Sequence, residues 1–302
     1  TVRKSFWASQ ECRVFPHRLY AKILYGRSAN WVNSLLVALR SIVCFYRHRP
    51  RIIVFGSVHR IVPWFICLRR LGLLPGAKLV DAYQIIDALT MVKEDAEVRL
   101  MRQATAIVDH GHHEVAKALR PGMSEKQVAG VAEKAMRDVG SEFAWTFTGG
   151  QEIASGPRTW TGACTPASDK LIQRGENVLL DLHGMYGLML GDVAHNAVMG
   201  KPSTQQQHVI DAFTATCEKL VETMQPGRTL GEVAVTVRGF VEENGWSGFV
   251  RGFGHGIGHF GHEWYPTLTN IEIPQVSEPD YVLEPNYMQM IAVTANLVGV
   301  GG

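Results

Sequence analysis

From Glu94 to Leu119 apolar residues recur at three- and four-residue intervals, at Val98, Met101, Ala104, Ile107, Val108 and Val115. That spacing places them along one face of a helix. The pattern stops at Arg120-Pro121-Gly122, and a second helix opens with Ser124-Glu-Lys-Gln127, running to Gly140. Serine followed three residues later by glutamine is a capping box, in which each side chain satisfies a backbone N–H left open by the first helical turn. The periodicity then changes. Val178-Leu-Leu-Asp181-Leu-His183 reads as a strand, Gly184 to Gly187 as a turn, and Leu188 to Val198 as the returning strand, closed by Gly200-Lys-Pro202. Upstream, Arg51-Ile-Ile-Val-Phe-Gly-Ser57 reads as a buried strand, Val62 to Leu74 as a helix and Lys78 to Asp81 as a short strand. This is an α/β pattern.

The helical pattern occurs twice. Pro226-Gly227-Arg-Thr229-Leu-Gly-Glu232-Val233-Ala234 repeats Pro121-Gly122-Met-Ser124-Glu-Lys-Gln127-Val128-Ala129 at an offset of 105 residues, and Gly245 falls opposite Gly140. A fixed offset without gaps implies an internal duplication of two halves that close on one another. A site is then expected in the cleft between them.

Composition adds one asymmetry. The 302 residues carry a formal net charge of +2, yet residues 1–80 hold 14 Lys+Arg against the single acid Glu11, leaving a formal −11 for the remainder. The basic segment reads as an irregular or truncated domain, with an interfacial or nucleic-acid-binding arm as the alternative. Five scattered cysteines, none in a Cys-x-x-Cys pair, are expected to be reduced thiols in a cytoplasmic protein. Neither a signal peptide nor a membrane span is expected, because Arg40 and Arg60 interrupt the apolar runs.

The candidate chemistry lies in Arg251-Gly-Phe-Gly-His255-Gly-Ile-Gly-His259-Phe-Gly-His262-Glu263 and in the two acids of the hairpin, Asp181 and Asp192. Asp181 follows three apolar residues, where a buried carboxylate needs a partner. Two carboxylates and an imidazole suit Mn²⁺, Co²⁺, Fe²⁺ or Zn²⁺. Bridging carboxylates would allow one ion or two.

Asp181, Asp192 eleven residues later, Gly254-His255-Gly-Ile-Gly258 and His262-Glu263 resemble the pita-bread metallopeptidases: methionine aminopeptidase, Xaa-Pro aminopeptidase, prolidase and the non-metal creatinase. The resemblance runs from Lys93 to Gly302. It is nearest the Xaa-Pro branch, since Leu74-Pro-Gly-Ala77 and Leu79-Val-Asp-Ala82 look like the end of that branch's N-terminal domain. It implies an α/β (α+β) pita-bread catalytic domain over 86–302, shortened at its C-terminus, after a partial creatinase-like α/β domain over 1–85. By the same resemblance Asp181, Asp192 and His255 would bind the metal, Mn²⁺ first among the candidates, and His262 would hydrogen-bond the scissile carbonyl. His259, His262, Trp264 and Arg158 would touch substrate, a peptide or small amide. Neither nucleic acid nor membrane is an expected partner, and a homodimer is the expected assembly.

The pattern departs from the family at three places. The next ligand glutamate, also the general base, aligns with Ala292, and the last would fall about four residues past Gly302. An upstream histidine near Pro157 is replaced by Arg158 and Trp160. The function expected is a metal-dependent hydrolase of Xaa-Pro type. The alternatives are another enzyme on the same scaffold, a creatinase-like amidinohydrolase or lyase, or a catalytically dead peptide-binding module. His110, His112 and His113 read as solvated helix residues, Trp145 and Trp160 as core packing, and Gly254-x-Gly-x-Gly258 as no dinucleotide fingerprint.

Overall fold

The computed structural model describes residues 51–54, 78–81, 90–143, 146, 149–161, 164–252, 254–259, 261–263 and 279–301. The chain divides into two compact units, Thr1–Ile86 and Asp87–Gly302. In the first, β1 (Arg51–Val54) and β2 (Lys78–Asp81) pair in parallel, Arg51 opposite Lys78. The helix expected over 62–74 lies outside the described residues.

In the second unit, α1 (Asp95–Ala118) and α2 (Glu125–Asp138) form the helical hairpin that the spacing predicts. The capping box of α2 joins Ser124 and Gln127; α1 has its own, from Glu94 and Glu97. The buried face of α1, including Ile107, Val108 and Val115, packs with Val128 and Met136 of α2 on Leu180 and Leu182 of the sheet below. Each such side chain removed from water contributes roughly 1.5–3 kcal/mol.

That sheet is antiparallel and runs β3 (Glu152–Ser155), β4 (Asn177–Tyr186), β5 (Met189–Val198). The hairpin turn is shorter than the sequence suggests. It is Gly187-Leu188, both at positive φ, and the strand continues through Gly184 and Met185. Met185 is fully buried, and a Cβ at Gly184 would press on Val108, so this stretch is held as strand by the helix above it. Gly191 permits the closest approach: a Cβ there would lie 2.5 Å from the backbone of Ala104 on α1.

The second half repeats the scheme with α3 (Thr204–Thr223) and α4 (Leu230–Glu243), the latter capped by Thr229 and Glu232. The duplication extends to backbone detail. Gly122 and Gly227 both have φ +89°. Gly122 N donates to Ile172 O, and Gly227 N donates to Leu283 O. Ser124 bridges Leu171, and Thr229 bridges Val282. A separate core of Val209, Leu220, Leu230, Val233 and Val237 lies between these helices and short strands. Those strands are β6 (Val250–Arg251), β7 (His255–Gly258), β8 (Gly261–Glu263), β9 (Gln289–Met290) and β10 (Thr294–Ala295). They pair β8-β7-β9 and β10-β6. No helix among the described residues is long and apolar enough to cross a membrane.

Candidate metal centre

The alternation of β4 sorts its side chains. Leu180 and Leu182 point into the helical core, while Leu179, Asp181 and His183 line a cavity of about 510 Å³ on the other face. The register then selects their neighbours. His183 stands opposite Asp192 of β5, and Asp181 stands between Ala194 of β5 and Glu152 of β3. Strand β7 contributes His255 to the same cavity.

The donor atoms converge. His183 Nε2 lies 3.4 Å from Asp192 Oδ1 and 3.8 Å from Asp181 Oδ1, and His255 Nε2 lies 3.7 Å from Asp192 Oδ2. Two ligands on one ion at about 2.1 Å stand roughly 3.0–3.4 Å apart, so small adjustments would bring these atoms onto a shared metal. Asp181, His183 and Asp192 are all buried, and their ligating atoms fall within 4.8 Å of one another. Asp181 Oδ1, His183 Nδ1 and Glu152 Oε1 are buried without a hydrogen-bond partner among the described residues. Buried polar atoms left so are costly unless a bound group completes them. The residues present therefore fit a divalent cation. His255 is suitably prepared, because its Nδ1 donates to Gly256 O at 3.0 Å and leaves the Nε2 lone pair toward Asp192.

Electrostatics carry the same message. Burial foremost, with the charges of Asp192 and Glu152, raises the Asp181 carboxyl to about 7 against the lowering effect of His183. Burial lowers the His183 imidazolium, but the hydrogen bond and charge of Asp192, with Asp181 and Glu152, outweigh it and carry the group up to about 9. Burial and then the same three carboxylates push the Cys164 thiol at the cavity edge up to about 11.

The glycine-rich hairpin is held against the start of α1. The buried Lys93 ammonium meets Glu263 Oε2 at 2.5 Å, and His259 Nε2 lies 2.6 Å from Glu97 Oε1. On the far side, Gly254 at φ +108° passes so close to the Met290 carbonyl that no Cβ fits, which aligns β7 with β9.

Of the residues singled out in the sequence, Asp181, Asp192 and His255 come together. The backbone of His262 lies on β8 opposite Ile257, in the hairpin that carries His255. His259 is engaged by Glu97 and is not in the cavity wall. Arg158 is turned elsewhere: its Nε bonds both oxygens of the buried Glu125, at 3.2 and 3.1 Å, and its Nη2 donates to Pro166 O. Trp264 and Trp145 lie outside the described residues, and Trp160 is 46% exposed, not packed in a core. His112 is buried beneath β5, not solvated; its Nε2 donates to Val193 O and its ring meets His195 edge-on. Ala292, where a carboxylate was expected, lines the cavity. His183 and Glu152 were not anticipated. The signal was present for His183, since a residue two places from Asp181 on a strand shares its face. Glu152 had no local signal, because strand pairing alone brings it beside Asp181.

A buried cluster of carboxylates and imidazoles between the halves of a duplicated α/β domain is a site whose donors fit a metal ion. Residues 99–298 match metallopeptidase family M24, and the chain belongs to that family. Among curated relatives, it is 30% identical over 204 residues to the Xaa-Pro dipeptidase of Pyrococcus horikoshii, covering 67% of this chain and 54% of that one. It is 30% identical over 218 residues to the probable dipeptidase PepE of Mycobacterium tuberculosis, covering 71% and 56%. The chain spans about half the length of the curated relatives it matches. The prolidase structure from Pyrococcus horikoshii OT3 aligns with a TM-score of 0.70 at 22% identity, over 85% of this chain and 70% of that one. The X-Pro aminopeptidase structure from Thermotoga maritima gives 0.68 at 22%, over 91% and 72%. The expected pita-bread fold and the kinship with the Xaa-Pro branch are thus both found.

Proposed function

We propose that this chain is a divalent-metal-dependent peptidase acting on an N-terminal peptide bond, with Xaa-Pro dipeptides as the substrate class. The observation that carries this reading is the convergence of Asp181, Asp192 and His255 on one buried cavity. The Xaa-Pro dipeptidases and prolidases among its relatives support the substrate class. Asp181, Asp192 and His255 hold the ion, a divalent transition metal for which Mn²⁺, Co²⁺, Zn²⁺ and Fe²⁺ are the candidates. When bound there, a divalent ion polarises the scissile carbonyl and acidifies a water molecule. Glu152, whose Oε1 is buried in the cavity wall without a partner among the described residues, receives the proton. Its other oxygen accepts from Cys164 N at 2.6 Å, which fixes the carboxylate in place. His262 donates to the carbonyl oxygen as negative charge develops there.

The test is hydrolysis of a panel of Xaa-Pro and Xaa-Ala dipeptides by the metal-loaded chain, beside Asp192→Ala and Glu152→Gln. Turnover of Xaa-Pro substrates, abolished in the first variant and lowered about 100-fold or more in the second, is the expected outcome. Absence of turnover with every metal and substrate overturns the reading.

A second reading rests on Ala292 and His183. With an alanine where a carboxylate was expected and an imidazolium balancing the acids, the cavity suits a metal-free peptide-binding module or another enzyme on the same scaffold. It predicts no metal uptake.

A further inference from the structure

His183 belongs to none of the motifs singled out in the sequence, although its place two residues from Asp181 sets it on the same strand face, and it lies as centrally as the aspartates. It shares the cavity face of β4 with Asp181, stands opposite Asp192 in the register, and brings Nε2 to 3.4 and 3.8 Å from a carboxylate oxygen of each. Its ring is buried, and among the described residues Nδ1 has no hydrogen-bond partner. Nothing else within the cluster fixes the imidazole, so its orientation follows from what Nε2 faces. What it faces is the pair of aspartates proposed above to hold the ion.

The cavity wall at Ala292 offers no donor side chain. We propose that His183 is a metal ligand, so that one divalent ion is held by Asp181, Asp192, His183 and His255. This rests on the metal-dependent reading above. Its consequences differ from those of a carboxylate-rich site. Two anionic and two neutral ligands balance the charge of one dication, and the remaining cavity carboxylate, Glu152, serves as proton acceptor and not as a ligand, so the stoichiometry is one. Two nitrogen and two oxygen donors favour a borderline ion, Zn²⁺ or Co²⁺, over Mn²⁺. The metal preference expected from the sequence is thereby reversed.

The test counts imidazoles directly. The wild-type chain, His255→Ala and His183→Ala are stripped with chelator, titrated with Zn²⁺, Co²⁺ and Mn²⁺ by calorimetry, and the Zn²⁺-loaded forms measured by X-ray absorption. Expected are one ion per chain, binding at least about 10-fold tighter than Mn²⁺ and weakened at least about 10-fold in His183→Ala. Two imidazole scatterers are expected in the wild type and one in His255→Ala. The last measurement does not depend on His183→Ala folding. A wild-type spectrum with one imidazole that disappears in His255→Ala overturns the role of His183 and leaves the metal-dependent reading standing. Failure of the wild type to take up any ion overturns both.

Discussion

His183 and Asp192 face one another across the β4–β5 hairpin, both side chains buried, imidazole Nε2 3.4 Å from carboxylate Oδ1. Three carboxylates, those of Asp181, Asp192 and Glu152, sit within electrostatic reach of that imidazole. Like charges crowded in a buried site oppose folding unless a cation joins them.

Metal addition should therefore stabilise the chain. An ion that binds only the folded state contributes about 2.7 kcal/mol at a free concentration 100 times its Kd. Thermal unfolding with Zn²⁺ or Mn²⁺ should show a rise of several degrees, reversed by EDTA and absent in Asp192→Ala. An unchanged midpoint in the wild type would contradict a metal site here.

The crossing of β5 and α1 depends on Gly191. Gly191→Ala puts a Cβ 2.5 Å from the Ala104 backbone, and neither element can yield as a flexible side chain would. A loss of about 3 kcal/mol in denaturant unfolding is expected. Because Asp192 is the next residue, metal affinity should fall in step. Wild-type stability in this variant would mean that α1 sits farther from the sheet.

Glu125 tests where Arg158 acts. Its buried carboxylate accepts from the N–H and hydroxyl of both Ser155 and Ser168 and from Arg158 Nε. Glu125→Ala should cost about 3 kcal/mol by leaving those donors unsatisfied. Arg158→Ala should cost about 1 kcal/mol, since the guanidinium is 35% exposed and the donors of Ser155 and Ser168 still compensate the buried Glu125, and should leave KM for dipeptides unchanged. A large rise in KM in Arg158→Ala would instead place the guanidinium on the substrate.

His112 sets an acid limit on stability. Burial, and secondarily the charge of His195, lower its pKa from 6.5 to about 4 despite the hydrogen bond to Val193. The unfolded chain takes up this proton near pH 6.5 and the folded chain only near 4. Its contribution is thus full above pH 6.5, falls as pH drops through that window and is lost below about 4. The loss amounts to about 3 kcal/mol. Urea unfolding at pH 7 and 4.5 should show a smaller difference for His112→Gln than for the wild type; equal differences would remove His112 as the cause.

Residue order alone determined the elements whose signals are local. The 3.6-residue period of α1, the capping boxes of Ser124 and Thr229, and the offset that pairs Gly122 with Gly227 all arise within a few turns of chain, and the structure reproduces them. The two aspartates and the glycine-flanked His255 were legible for the same reason, as a short motif on one hairpin and one strand. What tertiary structure decided was which faces meet. The hairpin turn moved to Gly187-Leu188 because α1 packs on Gly184 and Met185. His112 became buried because the rotation of α1 about its axis is set by the sheet beneath it. Glu152 reached Asp181 only through the register of β3 on β4, and Arg158 left the cavity because Glu125, 33 residues away in sequence, offered a buried carboxylate. Periodicity and caps depend on neighbours along the chain. The make-up of a buried charged site depends on strand register and helix docking, which are settled by packing between segments far apart in sequence.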